Sequence, residues 1–172
     1  MKKGLIAYLL LLALLAAACN FGGVGLERNA DGSLNINITL SESQVNDLVS
    51  QALISAESSG RSVRVQNASV DLQPGQMVIS GEYEQQNGTG NFVQGSITLA
   101  VAMVDGRVNV SVTQANIGGM EANDARLTEI AERINDALGA RAQQGSSGDV
   151  RITNVTISAN DLTLVINVPA GQ

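Results

Sequence analysis

Apolar residues in this chain recur at two different spacings, and the switch between these spacings constrains the fold more than any other feature. Through most of the chain every second residue is apolar, which is the pattern of a strand with one buried face. Two stretches, Val45 to Ala56 and Leu127 to Leu138, instead repeat at helical spacing. The sequence therefore predicts a chain made mostly of strands and interrupted by two helices.

Seven strands are predicted, separated either by turn residues or by the two helices. They cover Leu34–Leu40, Val63–Leu72, Met77–Tyr83, Val93–Met103, Val108–Val112, Val150–Ile157 and Leu162–Val168. Asp105-Gly106 is a strong hairpin signal, and Pro74-Gly75 is a second turn. The element order is β-α-β-β-β-β-α-β-β, and the tight turns imply antiparallel pairing.

Local signals define where the helices begin and where the sheet bends. Ser41 with Gln44 forms a capping box before the first helix, and Asn123 or Asp124 can cap the second. Gly81 and Gly95 lie inside strand patterns, where glycine often marks a bend or bulge. Because long strands twist and coil, we predict an α+β domain over residues 34–172 in which a curved antiparallel sheet wraps around the long second helix.

The N-terminal residues carry the pattern of a secretory signal peptide. Lys2 and Lys3 precede an apolar run from Leu5 to Leu15, well short of the about 20 residues that a membrane span needs. Ala16–Ala18 lead directly to Cys19, the one cysteine of the chain. This stretch resembles a lipobox, whose thiol becomes a thioether to diacylglycerol, although the usual leucine stands one place further back. The alternative is an ordinary A-x-A cleavage site that releases a soluble protein.

We predict that residues 1–18 are a lipoprotein signal peptide and that Cys19 carries acyl chains such as palmitate. Two or more acyl chains give a lasting membrane anchor. Residues 19–33 are rich in Gly and Asn and are predicted to form a flexible tether, in which Phe21 and Val24 either reach the membrane interface or dock on the domain. The expected location is the extracytoplasmic face of a bacterial membrane in the cell envelope, with the membrane as partner through Cys19.

Composition restricts the chemistry that the mature chain can perform. Eight arginines stand against sixteen acidic residues after removal of the leader with its two lysines, a formal charge of −8 that argues against nucleic acid as a partner. The mature chain has no His, Lys or Trp, so it lacks imidazole bases, amine nucleophiles and the usual zinc ligands. Glu82 and Glu84 share a strand face opposite Tyr83, where we expect solvent rather than a catalytic pair. We predict no enzyme activity, no metal and no cofactor.

Two segments resemble those of a group of small bacterial envelope lipoproteins. The stretch from Leu40 to Leu48 (LSESQVNDL) is similar to the opening of their first helix. Residues 150–157 (VRITNVTI), together with residues 162–164 (LTL), are similar to their closing hairpin. These lipoproteins are similar to one half of the tubular lipid-binding (TULIP) superfamily. The resemblance covers residues 33–168 and implies a coiled sheet around a long helix, with an apolar groove that binds lipid near a membrane.

The leading functional hypothesis is a membrane-anchored lipoprotein that binds a phospholipid, an isoprenoid or another apolar ligand in an aliphatic groove. The residues expected to line it are Leu53, Ile97, Leu99, Val101, Met103, Ile130, Ile134 and Leu138. The rival is an envelope scaffold or interaction lipoprotein with a fully packed core, an acidic outer face and a protein partner that the sequence does not identify. A packed core has the same sequence pattern as a lined groove, so both hypotheses stay open.

Overall fold

The computed structural model describes residues 23–58, 63–85, 88–143 and 151–170, which form eight strands and two helices. The predicted signal peptide and Cys19 lie outside these residues. In chain order the elements are β1 (Val24–Arg28), β2 (Leu34–Ser41), α1 (Glu42–Ser58), β3 (Val65–Gln73), β4 (Gln76–Glu84), β5 (Phe92–Val104), β6 (Arg107–Asn116), α2 (Ala125–Gln143), β7 (Arg151–Ile157) and β8 (Asp161–Val168).

The strands form two antiparallel sheets of four strands each. The first sheet has the order β1-β2-β8-β7 and the second has the order β3-β4-β5-β6. The α+β class and antiparallel pairing are therefore confirmed, but the prediction of one sheet curled around a helix is not, since neither sheet is strongly curled. The two helices separate the sheets along the chain. After β1 and β2, α1 leads from the first sheet to the second, and after β6, α2 leads back to β7 and β8 of the first sheet.

β1 is the strand that the predicted element order lacks. It occupies residues that were predicted to be part of the flexible tether, and it pairs with β2 from Val24 opposite Ile38 to Arg28 opposite Leu34. The segment is five residues long and contains Gly25 and two charged residues, so it has too few alternating apolar positions for a strand signal. Pairing with the strongly patterned β2 supplies the hydrogen bonds that its own sequence does not predict.

Both helices begin at the caps that the sequence indicates. The Ser41 N–H donates to Gln44 Oε1 at 2.9 Å, and the Gln44 N–H donates to Ser41 Oγ at 3.5 Å, which is the reciprocal capping box. At the start of α2, Asp124 Oδ1 accepts the N–H of Arg126 at 2.9 Å. Each cap satisfies backbone N–H groups that the first helical turn leaves free.

The two helices pack against each other, with α1 alongside β3 and α2 alongside β6. α1 also covers the edge of the second sheet, because Glu42 and Asn46 accept the backbone N–H groups of Leu72 (2.9 Å) and Val70 (3.0 Å). These two side chains are one helical turn apart and therefore lie on the same face of α1. The edge strand β3 thus has ladder hydrogen bonds on one side and helix side chains on the other.

The predicted bend sites coincide with irregularities in the second sheet. Gly81 of β4 pairs directly with Gly95 of β5, and β3 has a bulge between Gln66 and Ser69, next to Gly81. A Cβ added at Gly81 would lie 2.9 Å from the Gln66 carbonyl oxygen. The two glycines therefore leave room on the inner face of the sheet for neighbouring backbone.

One hydrophobic core joins both helices and both sheets. It draws on the apolar face of α1, the apolar stripe of α2 and the inner faces of β4, β5, β6 and β8. Its largest fully buried side chains are Tyr83, Leu72, Met77, Ile79, Ile97, Leu99, Leu127, Ile130, Ile134, Leu138, Leu162 and Leu164. A shared core means that the described elements pack as a single unit.

Candidate functional site

The eight residues predicted to line a groove are all found in this core or packed against it. Val101 and Met103 are partly buried, whereas the other six, Leu53, Ile97, Leu99, Ile130, Ile134 and Leu138, have at most 7% of their surface exposed. Within the second sheet, Ile97 lies opposite Ile79 and Leu99 lies opposite Met77. The structure therefore brings the predicted residues together, and it does so by packing them against one another and against neighbouring strands.

Three surface pockets lie elsewhere on the described part of the chain. A cavity of about 460 Å³ opens on the outer face of the second sheet and is bordered by Ser96, Thr98, Gln114, Ala115, Asn116, Met120, Glu121 and Ala122. The predicted groove residues do not contribute to its wall. Its polar side chains and its open shape suit water or a weak polar contact better than an acyl chain.

The other two pockets form a shallow groove between α1 and α2. Their volumes are about 330 and 240 Å³, and they share Gln51 and Ala137. Arg133, Asp136 and Arg141 stand at the margins. The small side chains of Ala52, Ser55 and Ala137 let the two helices approach each other. The charged residues at the margin make this groove less apolar than the groove predicted from the sequence.

The clearest exposed apolar surface lies on the first sheet, where we define the β1–β2 flank as Val24, Leu26, Ile36 and Ile38. Val24 is 66% exposed and Leu26 is 69% exposed, although both point to the apolar face of the sheet. In the ladder, Val24 lies opposite Ile38 and Leu26 lies opposite Ile36, and both isoleucines are partly buried against the core. The apolar face of the first sheet therefore continues past the core onto an uncovered edge.

Glu84 differs from the sequence-based interpretation, which placed it on a solvated face with Glu82. Its side chain is fully buried beneath the turn between β4 and β5, and its Oε1 accepts the N–H of Gly90 at 2.7 Å. This hydrogen bond is the main reason that the pKa of Glu84 is lowered, and the N–H of Gly88 and the charge of Arg64 act in the same direction while burial opposes them. The sequence feature that could have indicated this burial is the Gly-rich turn after Glu84, whose backbone N–H groups lie over the carboxylate.

A second polar cluster ties the start of α2 to the same turn. Arg126 bonds Asp124 through Nε (2.9 Å) and Nη2 (2.7 Å), and it donates from Nη1 to the carbonyl oxygen of Gln85 at 2.9 Å. The hydrogen bond from Arg126 is the main cause of the lowered pKa of Asp124. Nearby, Arg64 pairs with Glu57 at 2.6 Å and lies 5.8 Å from the ring centre of Phe92. These contacts hold the turn between β4 and β5 and the ends of both helices in place.

Tyr83 has an ionisable hydroxyl and is fully buried in the core. The hydroxyl donates to the carbonyl oxygen of Ile79 at 2.7 Å, four residues earlier on the same strand face, so the ring lies back along the strand past Gly81. Burial raises the pKa of Tyr83 far above its usual value. A phenol that stays protonated inside a core acts as a structural hydrogen-bond donor rather than as a nucleophile.

Over the residues that the structure describes, no three His, Cys, Asp or Glu side chains group closely enough to hold a metal ion, and no helix has the length and apolarity to cross a membrane. No protein-family model, no curated protein and no solved structure matches the chain. The resemblance to the tubular lipid-binding superfamily accordingly stays a prediction from the two sequence segments.

Proposed function

We propose that this protein is a lipid-anchored cell-envelope lipoprotein that acts without catalysis, through contacts made by the surface of a packed domain. The observation that carries the proposal is the location of the groove residues. Six of the eight are buried among side chains from both helices and both sheets, and the pockets described on the second sheet and between the helices have other walls. Side chains buried in this way are not accessible to a ligand from the surface, which favours the scaffold hypothesis over the groove hypothesis.

The polar groups of the described residues support a non-catalytic role. Glu84 and Asp124, two carboxylates beside the turn between β4 and β5, have lowered pKa values because each is hydrogen-bonded to groups of the fold itself. A general acid or base needs a pKa near the working pH and a free path to substrate. Neither carboxylate has these properties, and the sequence contains no histidine to replace them.

A second candidate is the apolar-ligand hypothesis, and one observation favours it. Val101 and Met103, near the end of β5, are only partly buried, and so are Val112 of β6 and Ile152 of β7. The apolar interior therefore reaches the surface where β5 and β7 meet. Separation of these strands would extend a groove inward along the predicted lining residues.

Extraction of bound lipid distinguishes the two candidates. The mature chain with Cys19→Ser has no acyl anchor yet keeps the core described above, whose residues lie between Ile36 and Ile166. Native mass spectrometry and organic extraction of this variant should find the protein alone. One apolar molecule per chain, retained through purification, would contradict the packed-core proposal and support the groove.

Replacement of Leu99 by Trp gives an independent test of packing. Leu99 is fully buried, so a larger side chain should destabilise the domain by about 1–3 kcal/mol through overpacking. The matched control is Val104→Trp at the end of the same strand, where half of the side chain is exposed and little change is expected. A Leu99→Trp variant with unchanged stability would indicate open space at this position and so favour the groove.

The anchor itself is tested with the full chain. Expressed in a bacterium, the protein should be found in the membrane fraction, with a mature N terminus that begins at Cys19 and carries the mass of its acyl chains. The Cys19→Ser variant should leave the membrane fraction. A wild-type protein cleaved before residue 19 without added mass would instead identify the ordinary secreted form.

A further inference from the structure

We infer that the β1–β2 flank rests on the bilayer that holds Cys19, with the side chains of Val24 and Leu26 among the lipids. The inference depends on the proposed lipid anchor and goes beyond it, because an anchor alone leaves the orientation of the domain open. It assigns a membrane-contact surface to a part of the fold that packing inside the domain does not explain.

The first support is the distribution of exposed apolar side chains. Among the residues that the structure describes, four large apolar side chains are at least half exposed: Val24, Leu26, Ile54 and Val104. Isolated residues such as Ile54 on α1 are common on protein surfaces, but adjacent ones that extend an apolar face indicate a contact surface. Val24 and Leu26 are neighbours on one face of β1, and the partly buried Ile36 and Ile38 lie beside them.

The second support is the short chain between the flank and the anchor. Val24 follows Cys19 by five residues, which span at most about 18 Å when fully extended. An acylated Cys19 at the membrane interface therefore keeps the start of β1 within that distance of the lipid. Contact with the bilayer then requires only that the apolar face of β1 turn toward the membrane in which Cys19 is anchored.

The third support is the charge of this face. Along β1, β2 and β8 the positions that share the face of Val24 are apolar, with Arg28 as the one exception. The mature chain has twice as many acidic residues as arginines, so a face without carboxylates is the one that an anionic bilayer repels least. Arg28 is exposed at the far end of β1, where its long side chain can keep the guanidinium among lipid headgroups.

The absence of tryptophan from the chain allows a direct test. Leu26→Trp and Ile54→Trp each introduce a sole tryptophan at a site that is 69% exposed, so they form a matched pair with little effect on packing. Val24→Trp is a second flank reporter in case Leu26→Trp does not fold. The acylated mature proteins are placed in phosphatidylcholine–phosphatidylglycerol vesicles, with and without bromine on the acyl chains.

On vesicles, the tryptophan at position 26 of the acylated protein should emit at a shorter wavelength than the same tryptophan in the Cys19→Ser protein in detergent-free buffer. Brominated lipid should quench most of the emission seen on vesicles. The Ile54→Trp emission should be nearly unaffected by bromine. Equal, weak quenching of both proteins on vesicles that they demonstrably bind would overturn the inference while leaving the anchor intact. A short-wavelength emission already present without vesicles would mean that protein covers the flank, and would also overturn it. Failure of the acylated chains to float with vesicles would refute the anchor and this orientation together.

Discussion

Replacement of Gly95 by Ala should destabilise the domain, and the structure indicates by how much. An added Cβ would lie 2.7 Å from the Asn116 carbonyl oxygen, 2.9 Å from Ile117 Cγ1 and 3.2 Å from Ile117 Cα. Two of these three atoms belong to the backbone, so the end of β6 has to move to make room. The φ angle of Gly95 is not in the left-handed region, and the clash alone therefore opposes the substitution.

The magnitude is the difference between two effects. Overpacking of this kind costs about 1–3 kcal/mol, whereas the reduced freedom of alanine in the unfolded chain stabilises the fold by about 0.4–1 kcal/mol. The expected result is a net loss of about 1–2 kcal/mol in the free energy of unfolding. For a domain of this size, that loss lowers the melting temperature by about 2–8 °C.

Gly139→Ala is the matched control. Gly139 lies inside α2, and an added Cβ would meet no heavy atom within 4 Å, so the same substitution should stabilise the domain by about 0.5–1 kcal/mol through helix propensity. Urea unfolding of the two variants in the Cys19→Ser background, followed by far-ultraviolet circular dichroism, measures both changes. A Gly95→Ala variant as stable as the wild type would refute the close approach of β6 to β5 at this point.

Three further predictions concern polar groups of the core and the helix start. Because its folded pKa lies below the ordinary 4.5, Glu84 stabilises the fold above that pH and loses this effect as pH falls through the lowered value. Glu84→Gln should therefore be less stable than the wild type at pH 7. The difference between their urea midpoints should shrink as the pH falls below about 4.5. A difference that does not change with pH would argue against a buried, ionised Glu84. Tyr83→Phe should cost about 1 kcal/mol, measured by thermal unfolding, because the Ile79 carbonyl oxygen loses the phenol hydrogen bond, and an unchanged melting temperature would count against that bond. Asp124→Ala should cost about 0.5–2 kcal/mol, since it removes the cap of α2, and an intact urea midpoint would show that the cap is dispensable.

Much of the local structure follows from the sequence because its signals act over short distances. Alternation of apolar residues predicts β5 to within one residue at each end, and the Ser41–Gln44 capping box forms as predicted. Asp105 and Gly106 both have positive φ angles, as the two-residue turn between β5 and β6 requires. In each case the local conformation is determined by residues only a few positions apart in the sequence.

The burial of Glu84 could not be predicted in this way. Alternation places it on the face opposite Tyr83, and it does point to that face. The turn that follows β4 then folds back and covers it, which depends on backbone geometry around Gly88 and Gly90 rather than on the period of the strand. Periodicity identifies the side of a sheet, but it does not identify what covers that side.

For the candidate site, the sequence indicates which residues belong together, but it does not determine whether they enclose a groove. Leu99, Ile134 and their six companions belong together because each lies on the apolar side of its own element, a property that the sequence determines by itself. Whether those sides meet or leave a space depends on how far apart the elements pack. The tertiary structure decides this, and here it brings six of the eight side chains into close contact.

By itself, then, the sequence determined the strands from β2 to β8, both helices, their caps and the membership of the core, because these follow from the spacing of apolar and turn residues. Only the tertiary structure decided the division into two sheets, the pairing of β1 with β2 and the exposure of Val24 and Leu26. Sheet order joins residues that are more than a hundred positions apart, as β2 and β8 are. Such a choice depends on the combined free energy of the whole chain, which no short window of residues contains.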